Sequence, residues 1–148
     1  MTARRARAWA VGGALLCVAV LAGCEGAAQT STFNLVNTRR AQRSIAAFHD
    51  DPELMTKAQH WADYVAARDS TQGSVLTSGV TGCYKALAEN IGVGTSVEQV
   101  IGAEIADVGV VPPIDRNHLL STELNALGVG VSERNGKFYV VLDFKLTC

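Results

Sequence analysis

Near the C-terminus, Leu127-Gly128-Val129-Gly130-Val131-Ser132 alternates apolar and small residues. Asn135-Gly136 follows, then a β-rich run from Phe138 to Phe144. Asn-Gly between two such runs is a strong short-range hairpin signal, because both central residues of a tight type I′ turn need positive φ. The chain is therefore expected to end in two antiparallel strands, and whatever precedes them must cover their apolar faces. The preceding residues read as helices. Asp51-Pro52-Glu53 supplies an N-cap, a proline at the first helical position and an acid in the first turn. Leu54, Ala58, Trp61, Ala62 and Val65 then form one apolar stripe, predicting a helix over 52–68. Ser96-x-x-Gln99 is a capping box before a helix over 97–107. Thr30, Ser31 and Thr32 offer N-caps for a first helix over 32–44. Residues 44–48 read as a short extended piece, and 69–82 as a loop rich in Ser, Thr and Gly. Pro112-Pro113 stops regular structure, and 115–122 is read as a short helical turn. The expected class is α+β, with helices flanking a small, mainly antiparallel sheet.

With 148 residues, 48% hydrophobic and 18% charged, the chain suits one globular domain and is not disordered. Its charge is unevenly placed. Residues 1–23 hold Arg4, Arg5 and Arg7 and no acid; without them the remainder has 10 basic against 14 acidic side chains. Such an acidic remainder lacks the electrostatic footprint of a nucleic-acid binder.

The first 23 residues read as an export signal. Three arginines precede an uncharged, mostly apolar run from Ala8 to Ala22, which is short for a membrane span. The run closes in Leu21-Ala22-Gly23-Cys24, which resembles the bacterial lipobox. Cleavage before Cys24 would leave a lipidated N-terminal cysteine, with residues 24–32 as a tether. The alternatives are an uncleaved anchor, or secretion with Cys24 as a free thiol. Of the four cysteines, Cys17 lies in the discarded segment and Cys24 would carry the lipid. Cys83 and Cys148 remain, and export favours a disulfide between them over two buried thiols or a metal pair.

Several segments together resemble the CAP superfamily of cysteine-rich secretory, antigen 5 and pathogenesis-related proteins, in its short bacterial SCP-like form. Phe33-Asn34-Leu35-Val36-Asn37-Thr38-Arg39-Arg40 looks like the family's opening helix, and Asp51-Pro52-Glu53-Leu54 like the start of its second. Ala88-Glu89-Asn90-Ile91 looks like its G-E-N-I motif. Arg116-Asn117-His118-Leu119-Leu120, Gly128-Val129-Gly130-Val131 and Phe138 to Phe144 follow in the family order. The resemblance spans 33–148 and implies an α-β-α sandwich.

Relatives with a metal-binding cleft use two histidines and usually two acids. Here Ser70 to Ser74 and Asp115 stand where the imidazoles belong. Glu89 keeps one acid, and Glu104 falls where the bacterial form tends to have Trp. Oxygen ligands alone make a poor zinc site, so no metal and no cofactor is expected. The candidate ligand-binding residues are Glu89, Asn90, Asp115 and Arg116; the plainer alternative has Glu89 accepting backbone N–H bonds and Asn90 fixing a turn before Gly92. His49, His60 and His118 read as ordinary polar residues, and Phe48, Trp61 and Tyr64 as core. No hydrolase elbow or dinucleotide loop is present. The expected function is a membrane-anchored, extracytoplasmic envelope lipoprotein with a degenerate, non-catalytic CAP domain. It would bind a lipid-like ligand, as some relatives bind sterols and lipids, or an envelope protein. A hydrolase of the CAP type and a purely structural cell-wall module are the alternatives.

Overall fold

The computed structural model describes residues 22–106 and 113–148. The bulk of the expected export segment, residues 1–21, and Pro112 lie outside the described residues, as does the side chain of Cys24. Among the described residues no helix is long and apolar enough to cross a membrane.

The hairpin forms as the sequence dictates. β3 (Ala126–Arg134) and β4 (Lys137–Thr147) pair antiparallel from Ala126↔Lys145 to Arg134↔Lys137, and both turn residues have positive φ, Asn135 at 54° and Gly136 at 73°. β2 (Tyr84–Gly94) adds antiparallel to the far side of β4, and β1 (His49–Asp50) pairs parallel with the start of β3. The sheet order is β1-β3-β4-β2. α2 (Pro52–Arg68) covers one face, burying Ala58, Ala62, Val65 and Ala66 against Tyr139 and Val141. α1 (Ala22–Ala41), α3 (Val97–Ala106) and α4 (Ile114–Leu119) cover the other, where Val36, Ile101 and Leu119 meet Leu127, Val129, Val140, Leu142 and Phe144. This is the expected α+β class, built as a helix–sheet–helix sandwich.

Helix ends follow local chemistry. Asp51 Oδ1 accepts from the amides of Glu53 (3.0 Å) and Leu54 (3.1 Å), which starts α2 where the sequence placed it. Ser96 Oγ accepts from the Gln99 amide, while Gln99 Oε1 accepts from the amide and hydroxyl of Thr95, so the capping box reaches one residue further back than expected.

Three expectations are corrected. The first helix begins at Ala22 and not at residue 32, so residues 24–32 are helical. Thr30 and Thr32 do not cap it; their hydroxyls donate to the carbonyls of Gly26 and Ala28 one turn earlier. That helix also stops at Ala41, short of residue 44, where Ser44 takes a positive φ. Lastly, Ala88 to Gly94 belongs to an eleven-residue strand, so Asn90 fixes no turn. Its small residues read poorly as a strand, but they admit α3: a Cβ on Gly92 would lie 2.2 Å from Val100 Cγ1.

The outer edge of β3 beyond β1 is closed by side chains instead of another strand. Val129 O accepts from Gln29 Nε2 (2.7 Å) and Val129 N–H points at Met55 Sδ (3.0 Å). Gln59 satisfies both the N–H and the C=O of Val131 (3.0 and 2.9 Å).

Cys83 and Cys148 form a disulfide with 5.6 Å between their Cα atoms, tying the start of β2 to the chain end. Cys83→Ser is expected to lower unfolding free energy by about 2–4 kcal/mol in urea titrations. At Gly130, a Cβ would lie 2.0 Å from the Ala58 carbonyl oxygen. Gly130→Ala should therefore cost about 3 kcal/mol or more, since backbone and not a flexible side chain stands in the way; an unchanged urea midpoint would contradict the close packing.

Candidate functional site

Successive residues of a strand point to opposite faces, and β2 sends its two candidate side chains apart. Glu89 faces α2, whereas Asn90 faces α3 and α4. The four expected site residues are therefore not gathered in one cleft.

On the α2 face, Glu89 stands directly across from Asp143 of β4. Lys57 of α2 reaches between them, 2.6 Å from Asp143 Oδ1 and 3.4 Å from Glu89 Oε2, with all three side chains at least nine-tenths buried. Lys57 Nζ also donates to Ser74 Oγ (2.8 Å). Ser74 in turn donates its amide to Glu89 Oε1 (2.8 Å) and its hydroxyl to Glu89 Oε2. Glu89 thus holds the 70–82 segment onto the domain. Burial pushes the Asp143 carboxyl up to about 6, against the opposing pull of Lys57 and with further upward pressure from Glu89. Its Oδ2 is buried without a hydrogen-bond partner. Neither Lys57 nor Asp143 carried a motif; what could have found them is strand alternation, which places Asp143 on the same face as Val141 in an otherwise apolar strand.

Above this cluster lies a groove of about 720 Å³ between α2 and the 70–82 segment. Thr56, Lys57, His60 and Trp61 form one wall, and Gln72 to Val75 the other. Trp61 donates its indole N–H to the Gln72 carbonyl (2.9 Å) and stacks on Tyr64 at 4.4 Å, with the Arg68 guanidinium over the far face of Tyr64. Trp61 and Tyr64 are thus half-buried groove and surface residues, packed beside the core without lying inside it. Phe48 is core, as expected. At the rim, Val75 is 70% exposed, an unusual position for a large aliphatic side chain.

On the other face, Asn90 Nδ2 donates to Glu104 Oε2 (3.1 Å) and to the Asp115 backbone carbonyl (2.9 Å), while its Oδ1 meets His118 Nδ1 at 2.8 Å. Burial lowers the His118 pKa, with Asp115 opposing. His118 is therefore a half-buried brace that ties α4 to β2. Glu104 and Asp115 border a smaller cleft of about 200 Å³, and Arg116 is exposed on α4. His60 is exposed at the groove wall. Among the described residues no group of three or more His, Cys, Asp or Glu is placed to hold a metal ion.

The sandwich and its motifs define a class. Residues 33–144 match the Cysteine-rich secretory protein family, CAP, and the chain belongs to that family. Among solved structures, it is similar to a cysteine-rich secretory protein from Staphylococcus aureus (TM-score 0.64, 20% identity, covering 83% of this chain and 40% of that one). An extracellular protein containing an SCP domain from Bacillus anthracis gives a TM-score of 0.60 at 18% identity over 82% and 41% of the two chains. An outer surface protein from Borrelia burgdorferi gives 0.65 at 13% identity, covering 80% of this chain and 92% of that one. The chain spans about two fifths of the length of the first two. No curated protein matches the sequence.

The two shifted groups act in opposite directions on stability. Asp143 binds its proton more readily folded than unfolded, so its contribution is fully present below about pH 4 and is lost as pH rises through about 6. His118 binds its proton less readily folded, so its contribution is present above about pH 6.5 and falls away on acidification. Asp143→Asn removes the first and keeps the second. Relative to the parent, this variant should gain stability between about pH 4 and 6 and level off above that range; parallel stability–pH curves in urea would show that Asp143 is not the titrating group.

Proposed function

We propose that this chain is a lipid-anchored protein of the bacterial cell envelope, facing away from the cytoplasm, whose CAP domain binds a small lipid-like ligand and does not catalyse a reaction. The groove beside α2 carries this reading. Its size suits one acyl chain and a small head, and apolar walls over a few fixed polar groups are the usual make-up of such sites. Exposed Val75 at the rim would meet the ligand's apolar end.

Membership of a secretory protein family supports export. The basic flank, apolar run and Leu21-Ala22-Gly23-Cys24 support processing to a lipidated Cys24. Because α1 starts at Ala22, the lipid would join the domain through a helix. An anchor at that point would bring the domain close to the bilayer, where amphiphiles are concentrated.

The polar groups support binding over turnover. Ser74 gives its hydroxyl to Glu89, both Glu89 oxygens are engaged, and Lys57 spends its N–H donors on three acceptors. On the opposite face, His118 Nδ1 meets an amide oxygen and not a hydroxyl. In this cluster the one hydroxyl, of Ser74, goes to a carboxylate already held by a lysine and an amide, not to a base free to take its proton. Of the residues expected to bind ligand, Glu89 serves the groove by fixing its outer wall, Asn90 braces the opposite layer, and Asp115 borders the smaller cleft there.

Two measurements test the reading. Protein purified from membranes and extracted with organic solvent should release a stoichiometric amphiphile by mass spectrometry. Cys24→Ala should leave the membrane fraction or accumulate unprocessed, because a diacylglyceryl group holds a protein far more firmly than one acyl chain. An unchanged membrane fraction, together with wild-type protein lacking lipid mass, would overturn the anchor.

A further inference from the structure

Among the described residues, Lys57 is the only lysine or arginine lining the groove. Its ammonium has three N–H donors and meets three acceptors: Ser74 Oγ, Glu89 Oε2 and Asp143 Oδ1. Two carboxylates around one ammonium leave the buried cluster with one net negative charge. Asp143 Oδ2 has no partner, and Glu89 lies directly across the strand pair from it, an arrangement in which like charges repel. The cluster therefore has one group too many asking for a proton, and one cation facing an apolar cavity.

The surrounding charges leave this balance intact. Glu53 and His60 of α2 line the same groove, and Glu53 is engaged by Thr81 and Gly82. On β4, Lys145 pairs with Asp51. On β3, Gly128 and Gly130 face α2 and carry no side-chain charge. Among the described residues lining the groove, no second lysine or arginine stands beside Lys57 to neutralise an arriving anion.

We propose that the groove takes a single-chain amphiphile with an acid headgroup, and that each ligand enters together with one proton, which settles on Asp143. This deepens the ligand-binding reading above and rests on it. An anion entering alone would raise the buried charge to two negatives in a poorly solvated site, which is costly. With Asp143 protonated, the cluster carries no net charge before the ligand enters. Lys57 turns the N–H it gave to Asp143 toward the ligand carboxylate, and the new Asp143 hydroxyl donates to Glu89. One ammonium, two anions and one neutral acid then share the site, so the final charge equals the starting one. Asp143 already sits near the threshold for this step, its carboxyl raised by burial to about 6.

The test uses the full chain with dodecanoate and dodecanol, the first ionised and the second uncharged between pH 6 and 8. Binding is followed by Trp61 fluorescence and by calorimetry in buffers of different ionisation enthalpy. Dodecanoate affinity should fall by about tenfold for each pH unit above 6, with close to one proton taken up per ligand at pH 7.5, and dodecanol affinity should stay flat. Asp143→Asn should still bind dodecanoate, with the pH slope and the proton uptake removed. Lys57→Met should lose the preference for the acid over the alcohol. A flat dodecanoate profile, or a slope that survives Asp143→Asn, would overturn the proton coupling while leaving the groove as a ligand site. Failure of both amphiphiles to bind at any pH would overturn the groove reading and this proposal with it.

Discussion

The separation between α2 and β3 governs the rest of the domain. Gly128 and Gly130 let the backbone of Leu54 and Ala58 rest directly on the strand, closer than any side chain would allow. With the helix this low, its next exposed face is carried over β4 and the edge of β2. Lys57 can then reach Asp143 and Glu89 at bonding distance, and Trp61 can meet the 70–82 segment. A helix raised by one methyl group would leave the lysine short of its acids. The polar cluster and the groove are thus consequences of two missing β-carbons.

The cluster gives Glu89 partners that the family resemblance does not imply. Resemblance implies a cleft in which acids and imidazoles converge, and it would set the Ser70 to Ser74 segment and Asp115 where the imidazoles belong. The remaining acid, Glu89, takes a lysine and a serine clamp as partners. Asn90, one residue on, belongs to the other layer, where it brings α3, α4 and His118 together. One strand therefore serves two sites with different tasks. Holding the 70–82 segment is one; bracing the helical layer is the other. The first fixes one wall of the groove, and the second joins two helices to the sheet.

Much of the fold was legible because local signals and global packing agree. Asp51-Pro52 starts α2, Asn135-Gly136 makes the hairpin, and the paired cysteines close on each other. β2 was not legible, because Lys85, Ala86, Ala88, Glu89 and Asn90 are weak strand formers that extend only through pairing with apolar β4 and room made for α3. The start of α1 was misread because Thr30 and Thr32 look like caps, yet they bond backward within a helix already under way. Glu89 and Asn90 were recognised as important, but their division between faces follows from alternation in a strand that the sequence did not announce. Lys57 and Asp143 meet 86 residues apart, and no spacing rule connects them.

The glutamine-plugged edge of β3 has a consequence for how copies of this protein meet one another. A free strand edge is a template for another chain, and the hazard grows when molecules are crowded on a surface. Gln29, Met55 and Gln59 occupy the hydrogen-bonding positions that an incoming strand would use, and they come from helices on opposite faces of the sheet. To open that edge, both helical layers would have to shift together. The domain can therefore be packed densely side by side without zipping into a continuous sheet along β3, a form of insulation built from side-chain amides where other folds use a charge or a proline.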